Sequence, residues 1–272
     1  MRICSFNANG LRSAAGKGFF AWFAAHDIDV LCLQETKAQE HQLRVAEFLP
    51  AGYHAYFRDA TTRKGYSGVA IYSRREPDEV LTGLGRPDFD EEGRYMEARF
   101  GNLSVVSLYI PSGSSGEVRQ AVKEDVMAWL RPIMDGWLRS KRDYVLCGDW
   151  NIVRARNDIR NWTSNQKNSG CLPHERAWLS GMIDDACGDG LVAPAKNGWK
   201  DSFRMAKPDA VEYSWWSHRG AARANNVGWR IDYQLVTPTL AEAIRSATIF
   251  PEPRFSDHAP YVVEYDWPQW HA

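Results

Sequence analysis

Residues 95–110 read "YMEARFGNLSVVSLYI". Two runs rich in β-branched and aromatic residues, 95–100 and 103–110, are separated only by Gly101-Asn102. A two-residue Gly/Asn connection between such runs is a hairpin signal. A mixed or antiparallel sheet is therefore expected, not a doubly wound parallel one. Working outward, further strand-like runs are "RICSFN" (2–7), "DVLCLQE" (29–35), "YHAYFR" (53–58), "GVAIYS" (68–73), "DYVLCGDW" (143–150), "EYSWW" (212–216), "GWRIDYQLV" (228–236), "ATIF" (247–250) and "YVVEY" (261–265). Helical spacing of apolar residues falls between some of them, at 13–26, 117–138 and 172–188. Eleven strands exceed what one compact open sheet holds comfortably. An α/β arrangement of two packed mixed sheets with helices outside is the economical solution. No repeat, low-complexity tract or linker-like stretch interrupts the pattern, so one domain over residues 1–272 is expected.

The 272 residues are 44% hydrophobic and 12% aromatic, enough for a well-buried core. No stretch approaches the ~18 consecutive apolar residues of a membrane span. The chain enters a strand-like run at once, without the layout of a secretory leader. Cys4, Cys32, Cys147, Cys171 and Cys187 are scattered singly, and no CxxC occurs. Such usage fits structural thiols in a reducing compartment, not a disulfide or zinc framework. A cytoplasmic, monomeric protein without membrane association is expected. The formal net charge of -1 gives no global nucleic-acid signal. Positive charge is concentrated locally, by Arg154, Arg156, Arg160, Lys167 and Arg176, and by Lys196, Lys200, Arg204, Lys207, Arg219, Arg223 and Arg230. Most such runs are solvated faces, so the asymmetry leans only slightly towards an anionic partner.

Several apolar runs end in polar residues. "ICSFNANG" ends in Asn7 and Asn9, "DVLCLQET" in Glu35, "VVSLYIPSG" in Tyr109, and "YVLCGDWN" in Asp149 and Asn151. "GWRIDYQ" carries Asp232, and "FSDHAP" supplies Asp257 and His258. Residues two apart in an extended chain share a face. Asn7 with Asn9, and Asp149 with Asn151, are thus each expected to point the same way. Polar residues commonly end strands, but this many after strongly apolar runs suggest one shared site. Glu35 with Asp and Asn oxygens suits Mg²⁺ or Mn²⁺ rather than zinc. A histidine beside acids, with a tyrosine hydroxyl, can contact and neutralise a phosphoryl group. No GxxxxGK[ST] loop and no GxSxG elbow occurs, which argues against P-loop nucleotide hydrolysis and the commonest serine-hydrolase chemistry.

"NANGLRSA", "LCLQETKA", "GYSGVAIYS", "SLYIPSGS", "LCGDWNI", "NVGWRIDYQLV" and "SDHAP" stand in the order seen in the exonuclease III family of apurinic/apyrimidinic (AP) DNA endonucleases. The chain resembles that family from residue 2 to about 266. The resemblance implies a four-layer α-β-β-α sandwich of the DNase I-like type. It implies Mg²⁺-dependent incision of duplex DNA on the 5′ side of a base-less sugar, with some repair of blocked 3′ ends. By the same resemblance, Glu35 is the principal metal ligand, with Asn7, Asn9 and Asp257 close by. Asp149 activates or orients water, and Asn151 holds that geometry. His258, oriented by Asp232, contacts a phosphate oxygen, and Tyr109 hydrogen-bonds the phosphate.

The resemblance also marks Trp215, Trp229 and Ile231 as walls of a pocket for an extruded sugar. Asn165 and Asn168, in the amide-rich loop 160–170, would touch the DNA backbone, while Arg12, Lys17, Gly65 and Tyr66 would grip the duplex from the other side. Two departures stand out. Val153-Arg154 replaces the Ala-His of many relatives, with an expected effect on DNA grip, and no arginine follows Tyr109 in "IPSGSSG". The alternatives on the same residues are a 3′-5′ exonuclease or 3′-phosphatase with weak abasic incision, and a non-catalytic DNA-binding protein.

Overall fold

The computed structural model describes residues 1–270. Its strands, in chain order, are β1 (Arg2–Asn7), β2 (Val30–Gln34), β3 (His54–Arg58), β4 (Val69–Ser73), β5 (Glu79–Leu81), β6 (Tyr95–Phe100), β7 (Leu103–Tyr109), β8 (Asp143–Asp149), β9 (Lys200–Asp201), β10 (Trp215–Trp216), β11 (Gly228–Trp229), β12 (Asp232–Val236), β13 (Ile244–Ile249) and β14 (Tyr261–Tyr265). They form two six-stranded sheets, ordered β13-β14-β1-β2-β4-β3 and β5-β6-β7-β8-β12-β9, and a ribbon of β10 with β11. The hairpin at Gly101-Asn102 is the β6–β7 pair, in register from Tyr95 opposite Leu108 to Phe100 opposite Leu103. Each large sheet holds one parallel pair, β1 with β2 and β7 with β8, among antiparallel neighbours, so both are mixed.

Side-chain alternation stacks these sheets into four layers. Ile3, Val30, Cys32 and Ile71 of the first sheet meet Met96, Val105, Val145 and Cys147 of the second in one core. The intervening residues point outward. Phe6, Leu31, Leu33 and Tyr72 pack beneath helices Leu11–Gly16 and Phe19–Ala25. Val106, Leu108, Leu146 and Leu235 pack beneath helices Glu117–Arg139 and Pro173–Ser180. Each fully buried aliphatic side chain contributes roughly 1.5–3 kcal/mol, so both faces of each sheet are strongly specified. The result is the α-β-β-α sandwich.

The same parity prepares the site. The inter-sheet face of β1 continues from Ile3 through Ser5 to Asn7, that of β7 from Val105 through Ser107 to Tyr109, and that of β8 from Cys147 to Asp149. Polar groups bridge the sheets here. Gln34 donates to Ser107 Oγ at 3.0 Å, and Gln234 donates to Ile3 O at 3.1 Å. Across the second sheet Tyr109 stands opposite Asp149, and Asp149 opposite Asp232. The inter-sheet layer is thus apolar at one end and chemically armed at the other.

Several expectations need correction. The segment 13–26 is two helices, broken at Lys17-Gly18, where Gly18 is left-handed with φ 89°. The helix expected over 172–188 ends at Ser180. The run 228–236 is two strands of different sheets, β11 and β12. The chain turns at Arg230, whose buried guanidinium lies 2.8 Å from both Asp158 Oδ1 and Asp201 Oδ2. Arg204 joins Asp158, and Arg154 bonds Asp185 at 2.6 Å and Asp201 at 3.3 Å. Val153 and Arg154 are both buried, so they offer DNA nothing directly. Arg154, Arg176, Arg204 and Arg230 all face buried or half-buried carboxylates, so the local basic excess is smaller than the sequence suggests. Among the described residues, no helix is long and apolar enough to cross a membrane.

Asp158 generates a test. Burial raises its pKa, but Arg230 and Arg204 outweigh burial and hold it at about 2. Its stabilisation is therefore present above the ordinary carboxylate pKa and is lost as pH falls towards about 2. Asp158→Asn leaves two buried guanidinium groups undercompensated and is expected to cost about 3–5 kcal/mol in urea unfolding at neutral pH. A cost under about 1 kcal/mol, the range of an exposed pair, would show that the cluster does not hold the fold.

Candidate active site

Asp149 closes β8 almost fully buried. One amide ties it to the other sheet: Asn7 Nδ2 donates to Asp149 Oδ2 at 2.9 Å and to Glu35 Oε1 at 2.8 Å. The ends of β1 and β8 share a local device. Asn7 Oδ1 accepts the Asn9 backbone N–H at 2.9 Å, and Asp149 Oδ1 accepts that of Asn151 at 2.8 Å. Both are turns of the Asx kind, and the third residue is left-handed in each, with φ 43° at Asn9 and 53° at Asn151. Asp149 and Asn151 do face one cleft, as expected, but through a turn and not through extended alternation. The pleat stops at Asn7 and Asp149, and a turn brings the next polar residue back.

Glu35 is also left-handed, with φ 49°, which is uncommon for a long side chain. Its loop is clamped from both sides. Gly10 N donates to Glu35 O at 2.8 Å, Thr36 N to Gly68 O at 3.1 Å and Lys37 N to Ser67 O at 2.9 Å. Gly68 must lack a side chain, because a Cβ there would meet Thr36 Oγ1 at 2.3 Å. That accounts for Gly68 accompanying "LQETK".

His258 Nδ1 lies 2.9 Å from Asp232 Oδ2, and Nε2 lies 3.8 Å from Asp149 Oδ2. Ser214 Oγ accepts the backbone N–H groups of Ile231 and Asp232 at 3.1 and 3.2 Å, fixing the start of β12. Ligand atoms of Glu35, Asp149 and His258 all lie within 4.8 Å of one another. Asn9 and Asp257, also expected near the metal, engage each other. Asn9 Nδ2 donates to Asp257 Oδ1 at 2.8 Å, Lys37 Nζ donates to Asn9 Oδ1, and Trp215 Nε1 donates to Asp257 Oδ2 at 3.0 Å.

A cleft of about 620 Å³ opens above this cluster. Glu35, Tyr109, Asp149, Asn151, Asp257 and His258 line its floor, and Trp215, Trp229 and Ile231 form one wall. The two indole rings meet edge to face, with centroids 5.7 Å apart. Trp216, by contrast, is buried in the inter-sheet core. Asn168 lines the cleft, while the Asn165 amide is turned into its own loop, donating to Asn161 O at 2.7 Å. Arg12, Lys17 and Gly65 are exposed outside the cleft lining, and Tyr66 is half-buried, its hydroxyl accepting from Arg94 and Arg119 at 2.9 Å each.

The electrostatics follow from crowding. Burial pushes the Asp149 carboxyl up, and Asp232 and Glu35 add to that, against the lowering effect of His258. Burial opposes charge on His258, yet Asp232 and Asp149 overcome it and raise its pKa, so the ring is a cation at neutral pH. Burial also raises Tyr109, with Glu35 adding to it, and keeps the phenol protonated. Asp257 is held at about 2 because His258 and hydrogen bonds from Asn9, Trp215 and Ser256 outweigh its burial. The site therefore offers a cationic imidazole, a phenolic donor and a carboxylate with raised proton affinity.

Comparison with known proteins decides the kinship. A model of the endonuclease/exonuclease/phosphatase family matches residues 4–258. The chain belongs to this family. It is 36% identical to an exodeoxyribonuclease of Bacillus subtilis, over 96% of this chain and 97% of that protein. It is 35% identical to the DNA repair nuclease APEX1 of Danio rerio, over 97% of this chain and 81% of that protein. The solved structure of a 3′-5′ exonuclease, NExo, from Neisseria meningitidis superposes with a TM-score of 0.85 at 30% identity, covering 98% of this chain and all of that one. The protein is thus an exonuclease III-type nuclease with the DNase I-like fold.

Within this nuclease, several further residues at the site were given no role there by the sequence. Lys37 pairs with Glu35 at 2.8 Å. Arg94 is buried with its guanidinium over the Tyr109 ring, 4.6 Å from the centroid. Lys167 and Arg219 bring positive charge to the cleft lining. Lys123 is buried beneath Asn151. Lys37 stands inside "LCLQETKA" and Lys167 and Arg219 inside the basic stretches, while Lys123, three, four and seven residues before Val126, Met127 and Leu130, lies on the apolar face of its helix. Asp232→Asn is expected to lower the His258 pKa by roughly 1–3, because a neutral amide withdraws the carboxylate that most supports the cation. An imidazole NMR titration in the metal-free protein checks this, and an unmoved curve would assign the charge of His258 to another source.

Proposed function

We propose that this nuclease hydrolyses the phosphodiester on the 5′ side of an abasic site in duplex DNA, with some 3′-phosphodiesterase and 3′-5′ exonuclease activity. The carrying observation is the Glu35, Asp149 and His258 cluster beneath a cleft walled by Trp215, Trp229 and Ile231. An apolar wall beside a phosphate-sized polar floor suits a sugar that has lost its base. Extruding an unstacked residue is also cheap, which favours the lesion over intact nucleotides.

The donor set fits a hard divalent cation: two carboxylates, one of them on a half-buried glutamate, beside an imidazole and no thiolate. Glu35, with Asp149 beside it, would hold Mg²⁺, or Mn²⁺, which supplies positive charge to the phosphate and the departing 3′ oxygen. Asp149, raised in proton affinity and held by Asn7 and Asn151, would accept the proton of the attacking water. His258, steered by Asp232, would hold a non-bridging phosphate oxygen through Nε2, and Tyr109 would donate to the same phosphate. Asn168, Lys167 and Arg219, which line the cleft, would contact the DNA backbone, and such contacts position DNA without reading sequence. A single-domain, monomeric and cytoplasmic enzyme belongs to the same reading.

A second reading, chiefly a 3′-5′ exonuclease or 3′-phosphatase, draws support from the likeness to NExo and from the short arginine-free segment after Tyr109. Two duplexes separate them, one with an internal abasic analogue and one with a recessed 3′ end, each with and without Mg²⁺. Preferred cleavage of the abasic strand supports the first reading, and preferred shortening of the recessed end the second. On the preferred duplex, Asp149→Asn and His258→Ala are each expected to lose about a hundred- to thousandfold in kcat while remaining folded by circular dichroism. Near-normal turnover by either would remove the assigned roles.

A further inference from the structure

Lys123 and Glu175 form an ion pair with both side chains fully buried, Lys123 Nζ lying 2.6 Å from Glu175 Oε1. Neither belongs to the cluster of polar strand ends. Lys123 sits in the helix Glu117–Arg139, and Glu175 in the first turn of Pro173–Ser180. Burying two charges is a poor way to gain stability, because desolvation offsets most of the attraction. A pair retained under that penalty invites the question of what else it holds.

The remaining bonds point to the site. Lys123 Nζ also donates to the carbonyl oxygen of Asn151 at 2.8 Å. Asn151 is the left-handed residue of the turn that holds Asp149, and its side-chain amide donates to Ile110 O at 2.9 Å. Among the described residues, no backbone N–H outside the regular elements donates to that carbonyl. The second oxygen of Glu175 accepts the N–H groups of Gly170 at 2.6 Å and Leu172 at 3.1 Å. Gly170 in turn holds Val153 N through its carbonyl at 2.8 Å. It packs so closely that a Cβ would stand 2.9 Å from Asn151 O and 3.0 Å from the Trp229 ring. One buried pair therefore touches the Asp149 turn, the loop carrying Asn168 and the backbone against Trp229.

We propose that Lys123 and Glu175 are positioning residues. Lys123 fixes the left-handed Asn151 turn, and with it the Asp149 carboxylate, while Glu175 fixes the neighbouring wall loop at Gly170. Neither touches substrate. The inference rests on the reading of Asp149 and Asn151 as catalytic, and the test is arranged so that the two can fail separately.

Lys123→Met alone leaves Glu175 buried and unpaired, so it is expected to lose both stability and turnover. The deciding variant is Lys123→Met/Glu175→Gln. It contains no unpaired buried charge, and the new amide oxygen still accepts the Gly170 and Leu172 N–H groups. Besides the donor to Asn151, the variant loses the bond from Gln120 Nε2 to Glu175 Oε1 at 3.0 Å, and the Gln120 amide can replace it by turning its buried, unpartnered oxygen to the new NH2 group. Expected are a midpoint of thermal unfolding restored towards wild type, KM for duplex DNA little changed, and kcat lowered about ten- to hundredfold, the usual scale for a supporting partner of a site ligand. A purely structural pair would restore kcat together with stability, and that result would overturn the proposal. Should the double variant stay unstable, kcat is read below its unfolding transition, and a normal value there would overturn it equally. Wild type and variants are assayed on both duplexes. A wild type that acts only on recessed ends changes the substrate reading and leaves this comparison intact, whereas a normal kcat in Asp149→Asn would remove the catalytic assignment itself.

Discussion

Asp149 is a carboxylate buried between two others, and the rest of the site answers that constraint. Moving such a group out of water costs several kcal/mol, and Asp232 and Glu35 raise the cost further. Opposite charges about 4 Å apart attract by about 4 kcal/mol at an effective dielectric of 20. His258 Nε2, 3.8 Å from Asp149, supplies one such offset. The bridging amide of Asn7 and the Asn151 N–H supply hydrogen bonds. The balance leaves Asp149 with raised proton affinity and His258 charged. That division of labour is what hydrolysis of a phosphodiester asks for, and it comes from packing rather than from any single residue.

The sandwich makes the crowding possible. Two sheets packed face to face bring strand ends distant in sequence to one rim, and the period-two parity of each strand selects which end residues face inward. Register does the fine placement, with Tyr109, Asp149 and Asp232 in one row across β7, β8 and β12. Left-handed backbone at Asn9, Glu35 and Asn151 then ends the pleat where the chemistry begins. Such conformations persist only where surroundings over-determine them, and here the clamps are visible: Gly68 against Thr36, the Asx turns, and Lys123 beneath Asn151.

Much of this was legible in the sequence. The Gly101-Asn102 hairpin excluded a wholly parallel sheet, and runs such as 143–150 marked the core strands. Polar residues after apolar runs marked Asn7, Glu35, Asp149 and His258, which the structure gathers at one end of the sandwich. What escaped has physical reasons. The run 228–236 has unbroken strand propensity, and only the tertiary demand of Asp158 and Asp201 on Arg230 breaks it. Arg154, Arg176 and Arg204 look like surface charge until their carboxylate partners, remote or in irregular segments, are in place. Strands β5 and β9 are three and two residues long, too short for periodicity to register. The Asn9–Asp257 pairing depends on contact across 248 residues and has no local trace.

Crystals of the protein with an abasic-analogue duplex, soaked in Mn²⁺, offer the most direct test of whether these side chains serve one cation and one scissile phosphate. The expected anomalous peak lies against the Glu35 and Asp149 carboxylates, with a backbone phosphate in the same cleft within hydrogen-bonding reach of His258 Nε2. A peak elsewhere on the protein, or a duplex seated away from the Trp215–Trp229 wall, would contradict the assignment.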